Sequence, residues 1–142
     1  MGLTQSQPQP QSSGSRAEAV ISDQVRQHQV VIFSKRSCSY CDAVKSVMAR
    51  ETQRLNRDDR CAVQEVSVVE LDDRPDGRDL QAALLRRTGV TTVPQVFVGS
   101  QFVGGAVDTA RLANNGGLRI ALMHAAKCPI SDKEKNKDVD DD

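Results

Sequence analysis

The 142-residue sequence contains no tryptophan, one tyrosine and three phenylalanines. So few aromatics cannot build a platform for stacking bases, and lysine plus arginine equal aspartate plus glutamate at 19 each, so binding to nucleic acid is not expected. No apolar run reaches the length of a membrane span or of a signal-peptide core. Four cysteines are too few to staple a chain of this length into a disulfide scaffold. That points to a reducing compartment, with the cytoplasm as the default. No repeat is visible, and the length suits one domain with one core.

The two ends differ from the middle. Residues 1–14 are mostly Gln, Ser, Pro and Gly, which have little to bury and read as a disordered leader. Residues 130–142 read as an acidic disordered tail: Ser131 to Asp142 holds three lysines against six acidic residues. This leaves a mildly basic domain at residues 15–129, which suits small anionic partners. Gly2 with Ser6 fits the myristoylation pattern, and a single acyl chain would give only reversible membrane association. A mitochondrial location is the alternative, disfavoured because Arg16 is the one basic residue before Glu18.

Hydrophobic periodicity gives the order of elements. Ser15-x-x-Glu18 has the form of a capping box, and Ala17, Val20, Ile21 and Val25 follow at helical spacing. Val30 to Phe33 is continuously apolar, as in a strand buried on both faces. Val44, Val47, Met48 and Leu55 form the next helical stripe, with Lys45, Arg50 and Arg54 expected on the outer side. The polar stretch from Thr52 to Cys61 reads as a helix extension or an exposed loop. Val63, Val66, Val68, Val69 and Leu71 make a second strand, parallel to the first because a helix lies between them. A third helix carries Leu80, Ala83, Leu84 and Arg87 and stops at Gly89. Gly99-Ser100 then turns a hairpin of type II′ or a relative of it. Asp108 is expected to N-cap a short helix, and Leu118, Ala121, Leu122 and Ala125 to face the core from a final one. This order predicts an α/β thioredoxin fold, a four-stranded mixed sheet flanked by helices.

Chemistry concentrates at Cys38-Ser39-Tyr40-Cys41, which follows the first strand and opens a helix. Unpaired backbone N–H groups and the positive end of the helix dipole favour thiolate there, so Cys38 is the expected nucleophile. Cys41 lies about one turn further on and points inward, close enough to resolve the attack by forming a disulfide. Lys35, three residues before Cys38, can add positive charge or pair with a substrate carboxylate. A zinc site would need two further ligands, and Cys61, Cys128, His28 and His124 show no matching spacing. For Cys61 and Cys128, free thiols are the default and a structural or regulatory disulfide is the alternative, which their spacing does not support.

Lys35-x-x-Cys38-Ser39-Tyr40-Cys41, Thr92-Val93-Pro94 and Gly104-Gly105-Ala106-Val107-Asp108, in this order, resemble the dithiol class of glutaredoxins. The resemblance covers about residues 16–127. Ser39 and Val69-Glu70-Leu71-Asp72 favour one branch of the family. The resemblance implies a glutathione-dependent thiol–disulfide oxidoreductase acting on glutathionylated or disulfide-containing proteins through Cys38 and Cys41. It also implies a cis Pro94, holding the Val93 backbone open for an extended ligand beside Thr92. Tyr40 would line the groove, and Gln81 would contact glutathione. Gly105, Val107 and Asp108 would receive a carboxylate at a helix start. Thr91 departs from the Arg or Lys common before Thr-Val-Pro, which weakens one such contact.

Two rival readings stand beside this one. Thioredoxin-type reduction without glutathione leaves Gly104-Gly105-x-x-Asp108 unexplained. The other is an iron–sulfur scaffold or sensor in which Cys38 and glutathione ligate a [2Fe–2S] cluster, turning a monomer into a cluster-bridged dimer. Its motivation is Ser39, which lacks the fixed φ and missing N–H of a proline at that position. The longer segment after the CxxC helix argues against such a dimer.

Overall fold

The computed structural model describes residues 13–57, 61–63 and 65–128. Gly2, Ser6 and the tail from residue 129 lie outside these, as does most of the leader. The first helix, α1 (Ser13–Gln27), begins two residues before Ser15, so Ser15 sits inside it rather than at its cap. Ala17, Ile21 and Val25 form its buried stripe.

The other elements are β1 (Val30–Ser34), α2 (Ser39–Asn56), β2 (Val66–Glu70), a 3-10 turn (Leu71–Asp73) and α3 (Gly77–Thr88), then β3 (Gln95–Val98), β4 (Gln101–Gly104), α4 (Ala106–Asn115) and α5 (Gly117–Ala125). The strand order is β2-β1-β3-β4, with β1 parallel to β2 and antiparallel to β3. β3 and β4 form the expected hairpin. This is the four-stranded mixed sheet of a thioredoxin fold.

Every residue of β1 is buried, because alternate side chains feed two separate cores. Val31 and Phe33 join Ile21, Val25, Leu80 and Leu84 from α1 and α3. Val30 and Ile32 join Val44, Met48, Leu118 and Leu122 from α2 and α5. Met123, absent from the expected α5 stripe, is buried with them. No described helix is long and apolar enough to cross a membrane.

Several local expectations are refined. The hairpin turn has positive φ at both Gly99 (56°) and Ser100 (69°), the signature of type I′ rather than II′. Helix α2 runs on to Asn56, so the polar stretch begins as a helix extension, with Glu51, Thr52 and Leu55 buried. Asn56 then clamps the chain leading to β2: its Nδ2 donates to the Val63 carbonyl (3.2 Å), and its Oδ1 accepts from the Val63 N–H (2.8 Å).

The cysteines outside the motif are the largest correction. Cys61 and Cys128 form a disulfide with a Cα–Cα separation of 5.0 Å, joining the segment behind α2 to the end of α5. Their spacing gave no hint because a bridge is decided by where two distant segments meet in space.

Candidate active site

β1 delivers Lys35 to a turn, and Cys38 is the N-cap of α2 with extended backbone (φ −113°, ψ 111°). Its Sγ accepts the Cys41 backbone N–H at 3.2 Å, taking one of the donors that a helix start leaves unpaired. Cys38 is half-buried and Cys41 completely buried, so the two thiols divide as expected. Burial pushes the Cys41 thiol up, and the neighbouring Cys38 adds to this, against smaller downward effects from the Lys35 backbone and the Ser34 hydroxyl.

Across the groove the Val93–Pro94 bond is cis, and the Cys38 thiol donates to the Val93 carbonyl at 3.9 Å. Gln81 reaches the same loop, its Nε2 donating to the Thr91 carbonyl at 2.8 Å. Tyr40 and Val107 are each 68% exposed, so the site is an open surface that a bulky disulfide could approach. Among the described residues, the side chains of Lys35, Tyr40 and Val107 make no hydrogen bond to these groups, though the Lys35 carbonyl accepts the Cys38 N–H at 3.3 Å.

At the start of α4 the roles differ from expectation. Gly105 is the N-cap, and Asp108 is the third helical residue, its Oδ2 accepting the Gly105 N–H at 3.3 Å. A carboxylate of this chain therefore already satisfies one donor at that helix start. Gly104 has φ 129°, and a Cβ there would lie 2.3 Å from Asp108 Oδ2, so this glycine makes room for Asp108 itself. Arg111 pairs with the other Asp108 oxygen at 3.5 Å.

A second group lies beneath Cys41 and was missed. Lys45, expected on the outer side of α2, donates to Glu70 Oε2 at 2.8 Å. The placement follows from two regularities: Lys45 is four residues after Cys41 on α2, and Glu70 is the cross-strand partner of Ser34. Glu70 Oε1 is buried without a hydrogen-bond partner among the described residues. Burial alone would raise the Glu70 carboxyl, but the hydrogen bond from Lys45, the nearby Ser34 hydroxyl and the Lys45 charge hold it below its usual value. Lys45 is raised, mainly by its hydrogen bond to Glu70.

The contribution of Glu70 is thus present above the ordinary carboxyl range and fades as pH falls through its depressed value. That of Lys45 is present below the ordinary lysine range and fades as pH rises through its elevated one, so both act fully at neutral pH. Lys45→Met, which leaves Glu70 unpaired, should cost about 1–3 kcal/mol in denaturant unfolding at pH 7. The loss should shrink at acid pH and be largely recovered in the double variant with Glu70→Leu. Equal stability of Lys45→Met and wild type at pH 7 would refute this.

The glutaredoxin family model matches residues 30–103, spanning β1, the CxxC, the cis-proline loop and the hairpin. The chain belongs to the glutaredoxin family. Among similar glutaredoxins, "Glutaredoxin-C5, chloroplastic" of Arabidopsis thaliana is 43% identical over 115 residues, covering 80% of this chain and 60% of that protein. "Glutaredoxin-2, mitochondrial" of Rattus norvegicus is 40% identical over 120 residues, covering 84% and 67%. The branch favoured by Ser39 and Val69 to Asp72 is this glutaredoxin 2 type. The chain spans only about three-fifths to two-thirds of the length of these two relatives.

Solved glutaredoxins superpose over most of the chain. A buckwheat glutaredoxin–glutathione complex has a TM-score of 0.71 at 29% identity, covering 82% of this chain and 96% of that one. Oxidized glutaredoxin 2 from Chlamydomonas reinhardtii has a TM-score of 0.69 at 34% identity, covering 79% and 95%.

Proposed function

We propose that this glutaredoxin is a glutathione-dependent thiol–disulfide oxidoreductase that removes glutathione from protein mixed disulfides and reduces some protein disulfides. The observation that carries the reading is Cys38 at the α2 N-cap, half-exposed, receiving a backbone N–H on sulfur and facing the Val93 backbone. The Cys38 thiolate attacks the glutathionyl sulfur, the old S–S bond breaks, and the protein thiolate leaves and takes a proton from water. The thiol of a second glutathione, deprotonated, attacks the glutathionyl sulfur now on Cys38. Glutathione disulfide departs with the two electrons' worth of oxidation, and Cys38 is regenerated as thiolate.

For a protein disulfide, Cys41 displaces the protein from the mixed disulfide on Cys38, and glutathione then reduces the Cys38–Cys41 bridge. Lys35, Tyr40, Gln81, Thr92, Val93, Gly105, Val107 and Asp108 are the proposed contacts for glutathione, with Pro94 shaping the loop. The buckwheat complex with glutathione supports this choice of ligand. The test is turnover of a glutathionylated peptide with and without glutathione. Equal turnover when a non-glutathione reductant replaces it would defeat the reading.

The cluster-bridged dimer is a distinct second reading, and the donor set fits it in part. Cys38 presents the accessible sulfur of each chain, Cys41 is fully buried, and Ser39 is the first residue of α2. Cys38 of each chain would then ligate one iron, with two glutathione thiols completing the four sulfurs such a cluster needs. Anaerobic reconstitution with iron, sulfide and glutathione should give a coloured dimer that Ser39→Pro weakens, with deglutathionylation kept. A colourless monomer from wild type rejects this second reading. The mitochondrial and chloroplastic names of the relatives support an organellar setting over the cytoplasm, and imaging of the tagged full-length protein tests that.

A further inference from the structure

The loop that faces Cys38 is held by side chains outside the family motifs quoted above. Gln95, the first residue of β3, is completely buried, and its carboxamide has a partner at each end. Nε2 donates to the carbonyls of Val90 (2.7 Å) and Thr92 (3.2 Å), and Oε1 lies 3.0 Å from the Thr88 hydroxyl, which shares its one proton between Oε1 and the Leu84 carbonyl at 2.8 Å. The same hydroxyl oxygen accepts the Val90 N–H at 3.2 Å. With Gln81 on the Thr91 carbonyl, two carboxamides fix three successive carbonyls of the loop.

A trans peptide has an immediate geometric consequence. The Thr92–Val93 peptide is planar, so its C=O and N–H point in opposite directions. Drawing the Thr92 carbonyl inward onto Gln95 turns the Val93 N–H outward. That N–H makes no hydrogen bond to the described residues, although Val93 is half-buried. The carbonyl of the same residue lies 3.9 Å from Cys38 Sγ, so this outward donor sits beside the reacting sulfur.

We propose that Gln95 is a positioning residue for substrate binding, which aims the Val93 N–H at a backbone carbonyl of the glutathionyl moiety. The proposal rests on the glutathione reading above. Gln95 does not touch the substrate; it acts by removing the alternative orientation of one peptide. Recognition of the glutathionyl group therefore depends on a buried carboxamide behind the groove, and the thiol chemistry of Cys38 does not.

Gln95→Met keeps length and unbranched shape while removing both donor and acceptor functions. It should raise KM for a glutathionylated peptide about tenfold, about 1.4 kcal/mol of binding. At the same time kcat and the pH profile of Cys38 alkylation by iodoacetamide should stay at wild-type values. Thr88→Val, which removes only the hydroxyl supporting Oε1, should raise KM by a smaller factor and serves where Gln95→Met folds poorly. In the ligand-free 15N spectrum the Val93 amide should shift or split in either variant.

Unchanged KM with an unchanged Val93 amide would overturn the proposal. So would a fall in kcat that tracks the folded fraction at constant KM, which is what a purely structural residue gives. Failure of the glutathione reading looks different: wild type would then lack glutathione-dependent turnover, and the Val93 amide would still report on Gln95.

Discussion

Cys38→Ser is expected to lose deglutathionylation by more than about 10³-fold, whereas Cys41→Ser should keep turnover of the wild-type order. The asymmetry comes from geometry. Cys38 is the half-exposed sulfur at the helix start, and the group that donates to it from residue 41 is the backbone N–H, which serine retains. The Cys41 thiol is fully buried and is needed only where a bridge to Cys38 must displace a protein thiol. Because burial and the neighbouring Cys38 push its thiol up, closure of that bridge should continue to accelerate with pH above the ordinary thiol range. Stopped-flow reduction of a protein disulfide and steady-state deglutathionylation, compared across pH, would show the difference. If Cys41→Ser is as inactive as Cys38→Ser on a glutathionylated peptide, the one-thiol route is wrong.

Reduction of the Cys61–Cys128 bridge should produce the largest change in stability. The two half-cystines are 67 residues apart in sequence, and closing a loop of that size removes about 4 kcal/mol of unfolded-state freedom in the chain-entropy account. Both sulfur-bearing residues are buried in the core with Leu55, Val63 and Met123, so the bridge also holds the α2 extension against the end of α5. Thermal unfolding of a Cys38→Ser/Cys41→Ser background isolates this bridge from the reactive pair. Its melting temperature should fall by roughly 15 °C on replacing Cys61 and Cys128 with serine. An unchanged melting temperature would mean that packing alone holds the two segments together.

The elements that carry the chemistry were legible because their signals are local. A continuous apolar run marks β1, a thiol at a helix N-cap marks the candidate nucleophile, and a βαβ order forces β2 to be parallel. The errors have equally definite causes. Asp is a residue type favoured at an N-cap, which is what residue 108 offers in sequence, but its side chain accepts the Gly105 N–H from the third helical position. Lys45 was placed on the outer side because the α2 stripe was counted from its apolar residues alone, and a long lysine stem can lie along an apolar face while its ammonium reaches Glu70.

By itself, then, the sequence determined the periodicities, the start of α2 at the CxxC, the place of the hairpin turn and the order in which Cys38, Val93 and Gly105 follow one another. It also placed two cysteines one helical turn apart, which is enough to separate a half-exposed thiol from a buried one. Only the tertiary structure decided that Gln95 would hold the loop opposite Cys38, that Lys45 would meet Glu70 25 residues away, and that Cys61 would meet Cys128. The physical reason is that residue type and spacing set whether a side chain is buried or exposed. The partner it finds once buried is set by strand register and by which helices cover each face of the sheet.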